Sequence, residues 1–294
     1  MAQAHAPDSS HYYLPNSSPW PIFASVSLFT CMVGAVAYLN DWAGGWALIP
    51  GFLMLFTMFG CWFHTVIGED RHGAYNLQVD RSFRMGMMWF IFSEVMFFAA
   101  FFGALFYARI FSVPWLGGHG AKFFTHFLLW PSFEGTWPTN GPAHVGGVGG
   151  AFKVVPAFGL PAINTLCLLT SGVTVTIAHH ALRQGKRGTL LVFLALTFLL
   201  GFTFVGLQAH EYWEAYTHLG LRLTTGIYGS TFFMLTGFHG LHVTIGATML
   251  VVIWLRALRG HFTPERHFAF EAVAWYWHFV DVVWLGLFVF VYWL

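Results

Sequence analysis

Seven apolar runs, each long enough to cross a membrane as a helix, alternate with short polar breaks along the chain. A helix needs about 20 predominantly apolar residues to span a bilayer. The stretches that qualify are about 20–40, 47–67, 84–111, 156–182, 189–213, 227–256 and 271–293. No internal repeat is visible, and no stretch reads as a soluble domain. The pattern predicts an all-α integral membrane protein, with a short N-terminal segment at 1–19 and one membrane domain at 20–294. The longest break, about 112–155, is rich in Gly and Pro but holds an apolar patch, Phe123, Phe124, Phe127, Leu128, Leu129 and Trp130. That patch reads either as a short helix lying in the membrane interface or as a packed loop.

Composition agrees with the pattern. The chain is 57% hydrophobic, 20% aromatic and 9% charged, whereas a soluble domain carries roughly a quarter charged residues. A formal net charge of +1 gives no hint of nucleic-acid binding. Cys31, Cys61 and Cys167 each lie inside an apolar run, are odd in number and form no CxxC, so neither a disulfide framework nor a zinc site is suggested. Residues 1–19 contain no Lys or Arg, so a secretory basic n-region is missing and the first run reads as a retained helix.

Basic residues in the breaks set the expected orientation. Arg71, Arg81, Arg84, Arg183, Lys186, Arg187, Arg256, Arg259 and Arg266 fall on one side; Arg109, Lys122, Lys153 and Arg222 fall on the other. The first side should face the cytoplasm, or the matrix in a mitochondrion, with the N-terminus inside and the C-terminus outside. Trp20, Trp46, Trp115, Trp213 and Trp293 lie near span ends, where an aromatic belt belongs.

Charges inside a membrane are costly, so each is a functional candidate. At 1.5 Å rise per residue, Glu94 lies roughly 15 Å into the third run and Asp281 about as deep in the seventh. His239 and His242 are near the middle of the sixth, and His278 shares a helix face with Asp281. The first two runs hold little that is ionisable besides His64, near the end of the second. Three readings compete for Glu94, His239, His242, His278 and Asp281. They pair with one another or with backbone inside the bundle; they handle protons, as intramembrane Asp, Glu and His do in relays; or the histidines ligate a metal or haem. The third reading is disfavoured by depth, because His179 and His180 fall at the end of the fourth run while His239 and His242 are mid-run. Axial haem histidines would have to lie level on facing helices. No HExxH, CxxCH, GxxxxGK[ST] or GxSxG occurs. The Gly146–Gly150 stretch follows no strand and reads as loop.

The order of motifs along the runs resembles the subunit III family of cytochrome c oxidase. The resemblance rests on Phe270-Glu271-Ala272-Val273-Ala274-Trp275-Tyr276-Trp277-His278-Phe279-Val280-Asp281-Val282-Val283-Trp284-Leu285 in the seventh run. Tyr228-Gly229-Ser230-Thr231-Phe232-Phe233 and Thr236-Gly237-Phe238-His239-Gly240-Leu241-His242-Val243 carry it in the sixth. Phe92-Ser93-Glu94-Val95-Met96-Phe97-Phe98, Ala178-His179-His180-Ala181-Leu182, and Gln208, Ala209, Glu211 and Tyr212 complete it, and the likeness covers about 17–294.

The resemblance implies a core subunit of a haem-copper oxidase with no redox centre and no catalytic residues of its own. Haem and copper would sit in partner subunits I and II, where oxygen is reduced to water and protons are pumped; cytochrome c would dock on the complex, not primarily on this chain. It further implies that the first two helices stand apart from a five-helix bundle across a cleft holding phospholipid, and that the subunit supports proton uptake and protects the active centre. Glu94 matches the family's buried carboxylate. Trp62, Glu69, His72, Arg256 and His261 match its lipid-head-group positions, although Arg256 also fits an ordinary positive-inside residue. Where the family often has Arg and Asp after the second run, this chain has Phe63-His64-Thr65-Val66-Ile67-Gly68-Glu69. The long break and the N-terminal extension favour a bacterial source and its inner membrane. Two other functions stay in view: a proton-coupled transporter using Glu94 and Asp281, disfavoured because the glycine-broken sixth run has no partner of like pattern, and a quinol oxidase subunit, whose relatives resemble a five-span version.

Overall fold

The computed structural model describes residues 17–145 and 151–294. Most of the expected N-terminal segment, and all of the Gly146–Gly150 stretch, lie outside the described residues. The elements are all helical: α1 (Trp20–Leu39), α2 (Ile49–Arg71), α3 (Leu77–Tyr107), α4 (Val113–Leu116), α5 (Phe123–Leu129), α6 (Leu160–Arg183), α7 (Arg187–Thr217), α8 (Gly226–Leu258) and α9 (Phe268–Leu287). A π turn at Ala108–Ser112 carries α3 into α4, and another at Phe288–Trp293 prolongs α9. Among the described residues, seven helices are long and apolar enough to cross a membrane.

The sequence signals at helix ends are local. Pro21, Pro50 and Pro161 stand in the first turns of α1, α2 and α6, where a missing N–H leaves no hydrogen bond unmade. Gly260 ends α8 at φ +72°. Its N–H donates to the Ala257 carbonyl at 3.0 Å, and the His261 N–H donates to the Arg256 carbonyl at 3.1 Å. A left-handed glycine is what this closing geometry favours.

Three helices run well past the ends read from the sequence, for one reason. Hydropathy marks the apolar core of a span, whereas the helix runs on into its polar ends. Thus α3 begins at Leu77, not near 84, because the Asn76 carboxamide caps the Val79 N–H at 3.0 Å and Arg84 pairs with Asp80 at 2.7 Å one turn on. Likewise α2 continues through Glu69 and Asp70 to Arg71, and α7 continues to Thr217. In the long break the apolar patch is a helix, α5, with Phe124 and Leu128 each 73% exposed. The rest of the break folds back on the start of α8: Tyr228 packs its ring on Trp137 and Phe152, and the Tyr228 N–H donates to the Thr139 carbonyl.

The chain divides into two compact units, one ending at Met85 and one spanning Gly86–Leu294. In the first, α1 and α2 meet through a narrow stripe of small residues, Ser27, Cys31 and Gly34 on α1 and Gly51 with Met58 on α2. In the second, α7 packs on both α6 and α8, and α9 on both α8 and α6. The buried face of α7 is Leu190, Leu194, Thr197, Gly201, Phe204, Gln208, Glu211 and Ala215, a strict alternation of four and three that makes one straight seam. Cross-helix hydrogen bonds reinforce the bundle. Thr174 meets Thr197 at 2.8 Å, Trp277 donates to Ser171 at 2.9 Å, Trp284 donates to Thr165 at 2.9 Å, and Tyr212 meets Thr236 at 2.6 Å.

Candidate functional site

Helices α3 and α8 bring Glu94 and His242 together. Glu94 Oε2 lies 2.8 Å from His242 Nε2, and His242 Nδ1 lies 2.7 Å from the Phe238 carbonyl. A carbonyl only accepts, so Nδ1 carries a proton and donates it to Phe238. The neutral ring is then bare at Nε2, and two bare acceptors would repel at 2.8 Å. The contact therefore holds one more proton, on the carboxyl or on the imidazole, and the pair is net neutral either way. The rings of Phe97, Phe98 and Tyr276 surround His242 at 5.9, 5.0 and 6.3 Å. The Tyr276 hydroxyl also donates to the His242 carbonyl at 3.4 Å. Net neutrality and the mutual hydrogen bond remove most of the cost of placing two ionisable groups in a span.

The other sequence candidates do not join this pair. His239 is fully buried on α8, and its Nε2 lies 3.2 Å from the Val280 carbonyl on α9, so Nε2–H donates to backbone. Its ring packs on Phe204 and Trp284 at 5.5 and 5.1 Å. His278 and Asp281 form a second pair, Nδ1 to Oδ2 at 3.6 Å. The Thr176 hydroxyl donates to the Gly172 carbonyl at 2.9 Å, so its oxygen accepts from His278 Nε2–H at 3.2 Å and Nδ1 is turned to Asp281. This pair borders a groove of about 410 Å³ between α6 and α9, lined by Leu169, Val173, Ile177, Val282 and Leu285. At Gly172 a Cβ would collide with Asp281 Oδ2, so glycine there lets the carboxylate approach α6.

The lipid-position candidates are spread over both units. In the first, Trp62 is exposed and stacked on Phe63 at 6.0 Å. Glu69 Oε2 accepts from the Tyr75 hydroxyl at 2.7 Å, and His72 Nδ1 turns back to the Gly68 carbonyl at 2.6 Å. In the second, Arg256 is 8% exposed, its guanidinium 4.6 Å from the centre of the Phe262 ring. His261 follows it at the α8 C-terminus, its N–H on the Arg256 carbonyl. Burial separates Arg256 from an ordinary surface cation.

Two clusters escaped the sequence reading. Glu211, 2% exposed, accepts at Oε1 from the Tyr292 hydroxyl at 2.6 Å and from Gln208 Nε2 at 3.1 Å. The fifth run was expected to end near 213, which put Glu211 at a span end instead of inside a helix that reaches Thr217. His179 on α6 converges with His267 and Glu271 at the start of α9. Comparing histidine pairs by depth could not find this set, because two of its members lie outside the span runs or at their edge; the i, i+4 spacing of His267 and Glu271 was the one available signal.

Seven long apolar helices, with ionisable side chains paired inside the apolar spans, define a polytopic helical membrane protein. Comparison with known proteins makes this specific. The family model described as cytochrome c oxidase subunit III matches residues 10–128 and 122–294. Proteins described as cytochrome c oxidase subunit 3 from Carassius auratus, Oncorhynchus clarkii and Gadus morhua are each 40% identical to this chain, over 99% of it and 98% of their own length. The chain belongs to the cytochrome c oxidase subunit III family and has the subunit III role in an oxidase complex.

Proposed function

We propose that the chain serves the oxidase without a redox centre or catalytic residue of its own, as a subunit packed beside subunit I that supports proton uptake. The observation that carries this reading is the Glu94–His242 pair. A carboxyl and an imidazole sharing one proton at 2.8 Å can accept or release it with little movement. Glu94→Gln tests it. The amide N–H of Gln can donate to the bare Nε2 and keep the contact, but it cannot pass a proton. The variant oxidase should assemble normally and take up protons more slowly; Glu94→Ala should lose both the contact and the uptake. Wild-type uptake by a well-assembled Glu94→Gln oxidase would contradict the reading.

The chain also binds phospholipid in this reading, at Trp62, Glu69 and His72 in the first unit and at Arg256 and His261 in the second. A basic side chain near the membrane surface pairs with lipid phosphate. Arg256→Ala should lower the phospholipid that co-purifies with the complex, and unchanged lipid content would remove Arg256 from the lipid site. Haem and copper belong to subunits I and II, and cytochrome c docks on the complex elsewhere. The excess of basic residues flanking the α2–α3, α6–α7 and α8–α9 connections supports a cytoplasmic position for that face, in a bacterial inner membrane, with the N-terminus inside and the C-terminus outside.

A further inference from the structure

Where α6 ends and α9 begins, three side chains point ligand atoms at one place. His179 Nε2 lies 3.6 Å from Glu271 Oε1, His267 Nε2 lies 3.4 Å from the same oxygen, and all three atoms fall within 4.8 Å of one another. His267 Nδ1 faces the Thr263 carbonyl at 3.2 Å. That carbonyl only accepts, so Nδ1 carries the proton and the Nε2 lone pair is turned to the cluster. A histidine ligand commonly has its second nitrogen fixed in this way by a backbone carbonyl. His179 Nε2 is buried and makes no hydrogen bond. A carboxylate oxygen and two imidazole nitrogens therefore converge on one place at ligand spacing.

Spacing indicates which cation. Two ligands about 2.0–2.1 Å from a tetrahedral centre stand about 3.4 Å apart, close to the 3.4 and 3.6 Å from Glu271 to the two imidazoles, while the two imidazole nitrogens lie within 4.8 Å of each other. Two imidazoles with one carboxylate suit zinc, and hard ions such as magnesium or calcium prefer oxygen ligands. The scaffold is firm. His267 is the N-cap of α9 and its carbonyl accepts the Glu271 N–H at 3.1 Å in the first turn, and the His179 ring packs on Phe270 at 5.5 Å. The side chains of His179, His267 and Glu271 are 26%, 10% and 16% exposed.

We propose that His179, His267 and Glu271 form a zinc-class divalent cation site that ties the end of α6 to the start of α9. It is separate from the Glu94–His242 pair and independent of the reading given to that pair. The test uses the intact oxidase complex, stripped with a chelator and titrated with Zn²⁺ against a chromophoric competitor. Wild type, His267→Gln and Glu271→Gln are compared, with helical content checked so that a misfolded variant is set aside in favour of the other. Wild type should take up one more tightly held zinc per copy of this chain than either variant. Zinc-edge X-ray absorption should lose imidazole scattering in His267→Gln. Equal zinc number and affinity in wild type and a folded variant would overturn the proposal.

Discussion

Helices α1 and α2 on one hand, and α6 to α9 on the other, solve the problem of cohesion in lipid differently. Within their spans, α1 and α2 bury 17% and 11% of residues, whereas α8 and α9 bury 44% and 50%. The hydroxyls of Ser25, Ser27 and Thr30 on α1 all donate to carbonyls of their own helix. In the later helices, hydroxyls and indoles reach across, as Thr174, Trp277, Trp284 and Tyr212 do. Lipid tails are as apolar as leucine, so burying apolar surface gives little drive between helices; close packing and cross-helix hydrogen bonds supply it. The later helices carry both. The α1–α2 pair carries chiefly a stripe of small residues and leaves a broad apolar surface exposed.

Substitutions should separate the two regions in order of size. Trp277→Ala removes a fully buried ring and its hydrogen bond to Ser171, and should cost about 3–5 kcal/mol in thermal or denaturant unfolding in detergent. Glu211→Ala strips the acceptor from Tyr292 and Gln208 and should cost about 1–3 kcal/mol, with Glu211→Gln losing less. Thr174→Val breaks one cross-helix bond to Thr197, and about 0.6 kcal/mol is the expected loss. Phe56→Ala, at a residue of α2 that is 68% exposed, should stay within about 0.5 kcal/mol. If Phe56→Ala proved as damaging as Trp277→Ala, the contrast between the regions would collapse.

Much of the fold was legible because a bilayer imposes one strong constraint, a run of apolar residues per crossing, and the chain obeys it seven times. Helix ends were less legible. Asn76, Asp80 and Arg84 belong to α3 by capping and pairing, which hydropathy does not see. The buried seam of α7 was invisible, since Leu190 and Leu194 inside differ in no chemical way from Val192 and Leu196 outside. Among site residues, Glu94, His242, His278 and Asp281 announced themselves by being ionisable in apolar runs, and the i, i+3 spacing already set His278 beside Asp281, but the partner of Glu94 did not show. Only the packing assigns His242 to α3 and its neighbour His239 to the α9 backbone. The His179, His267 and Glu271 cluster joins residues 88 positions apart at its shortest cross-helix step, from His179 to His267, and no spacing rule spans such a gap.

The most direct test of the account is to purify the complex gently through a tag on this chain, and then to separate the chain and take spectra and metal analyses of both fractions. The account predicts haem and copper in the intact complex together with two larger partners, and their retention by those partners when this chain is released without haem or copper. Haem or copper that travels with the separated chain would contradict the claim that it serves the oxidase without a redox centre of its own.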